Sequence, residues 1–443
     1  MAGAGGDVAG PRWIERSRFS FGVLAVAVIA AAFAVGFRLS LSFTLRELSG
    51  AGDVVSAMRA APLWARVTVP ALGGLLGGAI SLLVARRRGG QGVSNVMEAV
   101  ALGRVDLPMR VTLARSAASW LAIVSGGSIG REGPLIQFGG AAGKFVGDRF
   151  GLSVDRTRIL IAAGTAAGFA AAYNTPFAAV LFVIEVVTGV VVLDAILPAL
   201  VATAIASALT REIAGEGPIY GQRVFELGSP LELLAFAGLG LVAAFGTQGF
   251  MRLLSFGESL LSGERLSLPW RPALGGALAG AVIVFLPEVA GNGYEPLNSL
   301  LDARFTVPFV ALLLVGKCLA TTASVSSGNP GGVFTPTLLV GGAIGFLYAS
   351  ALASLGVAIG PPGGYALVGM AAAIAASTHA PLLASVMAFE LSGDYAIALP
   401  LILATALATI VSRKLRRDSI YTAELRERGL GWEMTMEGRR TSE

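Results

Sequence analysis

Along the chain, apolar residues gather into long unbroken runs separated by short polar or glycine-rich breaks. The runs near 20–37, 66–84, 159–184, 190–209, 232–250, 273–287, 305–323, 337–359 and 396–412 mostly approach the length of about 20 residues that a helix needs to cross a hydrocarbon layer. Two others, 111–124 and 380–391, are too short to do so. None of the runs alternates in polarity, as the strands of a lipid-embedded barrel must. Outside a closed barrel, only helices satisfy backbone hydrogen bonds in lipid. The pattern therefore predicts an all-α polytopic membrane protein.

Composition narrows the picture further. Of the 443 residues, 54% are hydrophobic and 14% charged, and the mean hydropathy is +0.73. Basic residues cluster at the ends of apolar runs: Arg12, Arg16 and Arg18 before the first, Arg86 to Arg88 after the second, and Arg413, Lys414, Arg416 and Arg417 after the last. The positive-inside rule places these clusters, and both termini, in the cytoplasm of a multi-pass cell-membrane protein. The first run is long and many others follow it, so it reads as a retained span rather than a cleaved signal. The net charge of +5 then belongs to flanks that meet lipid headgroups. No basic-aromatic patch points to nucleic acid.

Enzyme chemistry finds little support. The single cysteine, Cys318, lies in an apolar run and reads as core filling; it excludes a disulfide framework or cysteine metal cluster. The single histidine, His379, reads as a helix-end group, and Ser128 has no histidine partner that would make it a nucleophile. Neither a metal site nor a cofactor is expected. Asp194, Asp302 and Asp394 read as loop or helix-end residues rather than ion ligands.

An internal repeat organises the chain. "GTAAGFAAAYNTPFAAVLFVIE" (164–185) aligns without a gap on "GMAAAIAASTHAPLLASVMAFE" (369–390), pairing Gly164 with Gly369, Pro176 with Pro381 and Glu185 with Glu390. Upstream of each copy, a glycine-rich segment ends in a proline that opens an apolar helix: "GREGP" (130–134) and "GGVFTP" (331–336). The implied organisation is a cytoplasmic N-terminal segment (1–19), a first membrane repeat (20–210), a linker (211–231), a second membrane repeat (232–425) and a cytoplasmic tail (426–443).

Repeats whose helices are broken at matching places point to a transport site between the halves, near the membrane midplane. Pro134 and Pro336 are each expected at the first position of a helix. The neighbouring residues then present unpaired N–H groups at the positive end of the helix dipole, an anion site that needs no full positive charge. A third interruption, 86–100, supplies a further pole near the inner mouth. Glycines that merely let helices pack closely are the bland alternative; three such segments in a symmetric arrangement favour a site. A sodium-coupled solute carrier is the rival from a different class, because broken helices and inverted repeats suit it too.

These segments resemble the CLC family of chloride channels and chloride/proton antiporters over about residues 20–425. The resemblance rests on "GREGP", "GNPGGVFTPTLLVGG" (328–342), "AAAYNTPFAAVLFVIE" and "DSIYTAEL" (418–425). It implies a CLC-type fold of two inverted-topology repeats with broken helices meeting at an anion pathway, assembled as a homodimer. By position, Glu132 resembles the gating glutamate, whose carboxylate occupies the anion path and swings out when protonated or displaced. Backbone N–H groups around Arg131, Glu132 and Gly133, and around Val333, Phe334 and Thr335, would line the outer anion sites. Tyr421 resembles the tyrosine whose hydroxyl donates to the central anion.

Two positions depart from the family pattern. Gln91 stands where an anion-binding serine is usual, which bears on the choice among chloride, nitrate and fluoride. Val186 stands where antiporters carry an internal proton-transfer glutamate. A valine cannot shuttle a proton, so uncoupled, channel-like chloride conduction is the simpler reading and proton-coupled exchange the alternative. Glu185, matched by Glu390, reads as a structural partner at a helix end.

Overall fold

A computed structural model of the chain describes residues 12–85, 92–102, 107–215, 220, 221, 223, 225, 229–261, 269–435 and 438–442. Eighteen helices follow in chain order. The first half contains α1 (Arg12–Ser49), α2 (Val54–Ala60), α3 (Leu63–Ala85), α4 (Val93–Leu102), α5 (Met109–Val124), α6 (Glu132–Arg149), α7 (Val154–Tyr173), α8 (Pro176–Phe182) and α9 (Leu193–Ala214). The second contains α10 (Glu232–Leu261), α11 (Trp270–Phe285), α12 (Tyr294–Leu301), α13 (Val307–Ser326), α14 (Phe334–Ser354), α15 (Pro362–Thr378), α16 (Pro381–Ser392), α17 (Ala398–Leu415) and α18 (Ile420–Glu427). A π-helical segment, Val183–Thr188, continues α8. The membrane region is all-helical as the apolar pattern predicts. The tail departs from that expectation: Gly431–Thr435 and Gly438–Ser442 pair antiparallel as β1 and β2.

Among the described residues, seven helices are long and apolar enough to cross a membrane. The run 159–184 is not one span. Asn174 takes a left-handed conformation (φ 55°) and ends α7, and Pro176 opens α8. The same break separates α15 from α16, where His379 (φ 59°) precedes Ala380 and Pro381. His379 is therefore the helix-end residue expected. Its backbone N–H donates to the Ala375 carbonyl, and its Nε2 lies 3.4 Å from Ser412 Oγ. Cys318 packs against the core. Asp194 sits in the first turn of α9, Asp302 caps α12 and pairs with Arg223 at 2.7 Å, and Asp394 accepts from the Phe225 and Ala396 amides.

The repeat extends further than the sequence alone displays. Helices α3 and α11 cross where Gly74 lies against the Pro272 carbonyl and Gly276 against the Pro70 carbonyl, a reciprocal arrangement with no room for a side chain. Gly73 packs on Ser125 at the end of α5, and Gly275 packs in the same way on Ser327 at the end of α13. Gly139 meets Gly164 where α6 crosses α7, and Gly341 meets Gly369 where α14 crosses α15. Small residues at such crossings let backbones approach closely, the usual means of helix association in lipid. Large apolar side chains, among them Phe21, Leu83, Phe245 and Phe285, remain exposed on the outside of the bundle, where a hydrocarbon solvent accommodates them.

Glu185 and Glu390 close the repeat against itself. Glu185 accepts from the Leu382 and Leu383 amides (3.2 and 2.7 Å) at the start of α16, and Glu390 accepts from the Phe177 and Ala178 amides (3.1 and 2.7 Å) at the start of α8. Each carboxylate satisfies orphan donors at the positive end of the other repeat's helix. Both are thus helix-end partners.

Candidate functional site

The glycine-rich breaks before α6 and α14 meet in the core. Gly130 N donates to the Gly332 carbonyl (2.7 Å), and Gly332 N donates back to Gly130 (2.9 Å). Neither position can carry a side chain, because a Cβ at Gly130 or Gly332 would strike the Glu132 carboxylate. Pro134 and Pro336 are each the third residue of their helix, not the first as expected. All four leading N–H groups of a helix lack an intrahelical partner, so proline fits anywhere in that turn. At the third position it leaves the first two amides free to point outward.

Those amides of α14 are taken by Glu132. The side chain is 2% exposed, and its Oε1 accepts from Phe334 N (2.8 Å) and Thr335 N (3.2 Å) while Oε2 accepts from Thr335 Oγ1 (3.0 Å). Thr335 Oγ1 also lies 2.8 Å from the buried Tyr173 hydroxyl. A hydroxyl carries one hydrogen. Since the threonine spends its hydrogen on the carboxylate, the tyrosine must donate to the threonine. The ordered chain is Tyr173 to Thr335 to Glu132.

The expected residues divide into three groups. Glu132, Phe334 and Thr335 come together. Val333 caps the same helix end, but neither its amide nor those of Arg131 and Gly133 bond the Glu132 carboxylate. Arg131 instead sets its guanidinium over the Tyr294 ring, 5.2 Å from the centroid. Tyr421 stands apart at the start of α18, half-buried, its ring edge-on to Phe182 at 6.2 Å. Gln91 lies outside the described residues, as do Arg86 to Arg88. Val186 is 1% exposed within the π-helical segment.

Aromatic rings link the two ends. Phe169 packs on Tyr173, Phe182 and Phe334, and Phe182 reaches Tyr421. At the Tyr421 end, Ser94 Oγ lies 2.6 Å from Glu424 Oε2 and 3.2 Å from the Tyr421 carbonyl, fastening α18 to α4. Arg428 joins the same junction through Glu424 and Asn95. Gly92, next to Gln91 in sequence, donates to Gln137 Oε1 of α6 at 3.0 Å.

Sequence reasoning missed Tyr173, Gln137 and Ser94. Tyr173 is the lone hydroxyl-bearing aromatic in an alanine-rich helix, a signal that could have marked it. Gln137 and Ser94 have none, because their partners are distant in the chain.

This geometry is a cradle of two amides and a hydroxyl holding a buried carboxylate. The sequence profile described as "Voltage gated chloride channel" matches residues 73–413. The chain belongs to this family. It is 38% identical over 397 residues to a ClcB-like chloride channel protein of Ralstonia nicotianae, covering 88% of this chain and 92% of the relative. It is 34% identical over 413 residues to the voltage-gated ClC-type chloride channel ClcB of Escherichia coli, covering 90% and 97%. Its fold is similar to that of a slow cyanobacterial Cl⁻/H⁺ antiporter, with TM-score 0.80 and 24% identity over 93% of this chain and 98% of that one. Family membership sets aside the sodium-coupled carrier.

Proposed function

We propose that this protein carries chloride across a cell membrane along a path between the α6–α14 breaks and Tyr421, with Glu132 as its gate. The carrying observation is the Glu132 carboxylate on the α14 amides, the donors an anion would need. Protonating the carboxylate removes its charge and weakens its hold on those donors, so an anion takes its place. Tyr421 serves as the inner donor and Gln91 as the determinant of preference among chloride, nitrate and fluoride. With both termini cytoplasmic, α18 marks the inner end and Arg131 the outer. Two copies assemble as a homodimer in which each carries its own path. Purified protein in liposomes is expected to dissipate a chloride gradient; vesicles that hold the gradient refute the reading.

Conduction is uncoupled from protons on this reading, because Val186 offers no titratable group where a proton would enter from the inside. An imposed chloride gradient is expected to leave proton distribution unchanged. Uphill proton movement would replace this reading with exchange.

A further inference from the structure

The conduction path leaves one end of the molecule unused. Helices α1 and α6 run antiparallel: Gly22 packs on Val146, and further along α1 the Phe33 ring stacks on Phe138, earlier in α6, with centroids 3.6 Å apart. The start of α1 therefore shares an end with the last turn of α6. The start of α7 lies there too, since Arg156 pairs with Glu15 at 3.1 Å. At this end an open groove of about 560 Å³ runs between Arg18 and Phe21 on one side and Asp148, Arg149, Phe150 and Gly151 on the other.

Charge in the groove is positive. Among the described residues Asp148 is its one carboxylate, and Lys144, a turn earlier in α6, already holds it at 2.6 Å. Nearby, Glu15 is matched by Arg156, and Asp155 by Arg158 at 3.8 Å. Arg18 and Arg149 are left over: both line the groove, both are exposed, and among the described residues neither has an ion-pair partner. The last carbonyls of α6, which would repel an anion, are taken by the Phe150, Gly151 and Leu152 amides (2.9, 3.2 and 3.0 Å). Two guanidiniums thus face one groove without a counter-ion. A phosphate, whose oxygens accept hydrogen bonds in pairs from each, is the anion that their planar forks fit.

The surface next to the arginines identifies what carries that phosphate. On α1, Phe21, Leu24 and Val28 follow Arg18 at helical spacing, all exposed. On α6, exposed Phe145 precedes Arg149 by one turn. Each helix sets a cation at its end and an apolar strip leading from it into the membrane. A free phosphate makes no contact with such a strip, whereas an acyl chain buries it. With the N-terminus cytoplasmic, the groove faces the leaflet whose surface is anionic. We infer that Arg18 and Arg149 clamp the phosphate of one anionic phospholipid, with an acyl chain laid along Phe21, Leu24 and Val28. The lipid bridges the first helix to the helix that begins with Glu132. This site is separate from the conduction path and shares with it only the cytoplasmic placement of the N-terminus.

Purified full-length protein in detergent, titrated with phosphatidylglycerol and followed by native mass spectrometry, tests the clamp. Each chain should retain one phosphatidylglycerol in preference to phosphatidylcholine. Arg18→Gln and Arg149→Gln should each weaken that retention about fivefold, and the two together about twenty-fivefold, as expected for cations beside a lipid headgroup. Arg16→Gln removes the same charge from the opposite side of α1 and should retain the lipid as the native chain does. Phosphatidylglycerol should also raise the apparent Tm of the native chain and not that of the double variant, and inorganic phosphate should raise neither. Equal retention of both lipids, an equal loss in Arg16→Gln, or native retention in the double variant overturns the clamp. A Tm raised as much by inorganic phosphate as by lipid overturns the lipid as the source of the phosphate. Chloride efflux should be unchanged in these variants, so the clamp and the conduction path stand or fall separately.

Discussion

Removing the Glu132 carboxylate should convert a self-blocked pathway into an open one, with a size that follows from its bonds. The carboxylate accepts two amides and one hydroxyl. Hydrogen bonds to a charged group contribute about 1.5–3 kcal/mol each, so seating it gains roughly 5–9 kcal/mol. An incoming anion meets the same donors and regains most of that energy. The seated state is left ahead by about 1.4–2.8 kcal/mol, which corresponds to roughly tenfold to a hundredfold competition against an incoming anion. Glu132→Ala abolishes that competition, so calorimetric titration with chloride should show affinity higher by that factor. Glu132→Gln tests the charge separately. In liposome efflux between pH 4.5 and 7.5, the native protein should speed up as pH falls, because the protonated acid is a poorer acceptor. The glutamine variant should be fast and flat over the range. A variant that keeps the native rate and the native pH dependence would refute the gate.

Other outcomes follow from neighbouring contacts. Gly332→Ala places a methyl group against the Glu132 carboxylate; efflux at pH 7.5 should rise and its pH dependence flatten, and a native profile counts against the packing described. Glu185→Gln and Glu390→Gln should each weaken one cross-repeat cap by about 1–2 kcal/mol, read as a lower apparent Tm in detergent with no change in proton coupling. If Glu185→Gln altered coupling at unchanged Tm, that residue would be a proton relay. Thr335→Val removes the hydroxyl between Tyr173 and Glu132, loosening the carboxylate, and should raise efflux at neutral pH by about tenfold or more; slower efflux would mean the hydroxyl serves the anion alone.

The chain's local signals and its long-range pairings were unequally legible. Glycine and proline spacing located both broken helices, since backbone freedom and a missing donor are properties of a residue and its immediate neighbours. The matched glutamates were readable as helix-end partners because the repeat displays them at equivalent places. Apolar runs, by contrast, hid the turn at Asn174: seven alanines between Ala162 and Ala172 make a run uniform in polarity on either side of a break that only Pro176 betrays. The tail hairpin escaped because two five-residue strands carry too short a pattern to read. Which amides face Glu132 was not readable at all. Phe334 and Thr335 are about 200 residues away, and only the pairing of Gly130 with Gly332, just ahead of α6 and α14, brings them within reach of the carboxylate.

Gly130 and Gly332 are equivalent members of the two repeats, joined by reciprocal bonds. Two residues further on, the equivalence ends: an acid stands in one copy and Phe334 in the other. A duplicated scaffold has no means of telling one face of the membrane from the other. The unmatched acid breaks that equivalence, so if Glu132 gates as proposed, the competition with an anion is staged from one repeat alone.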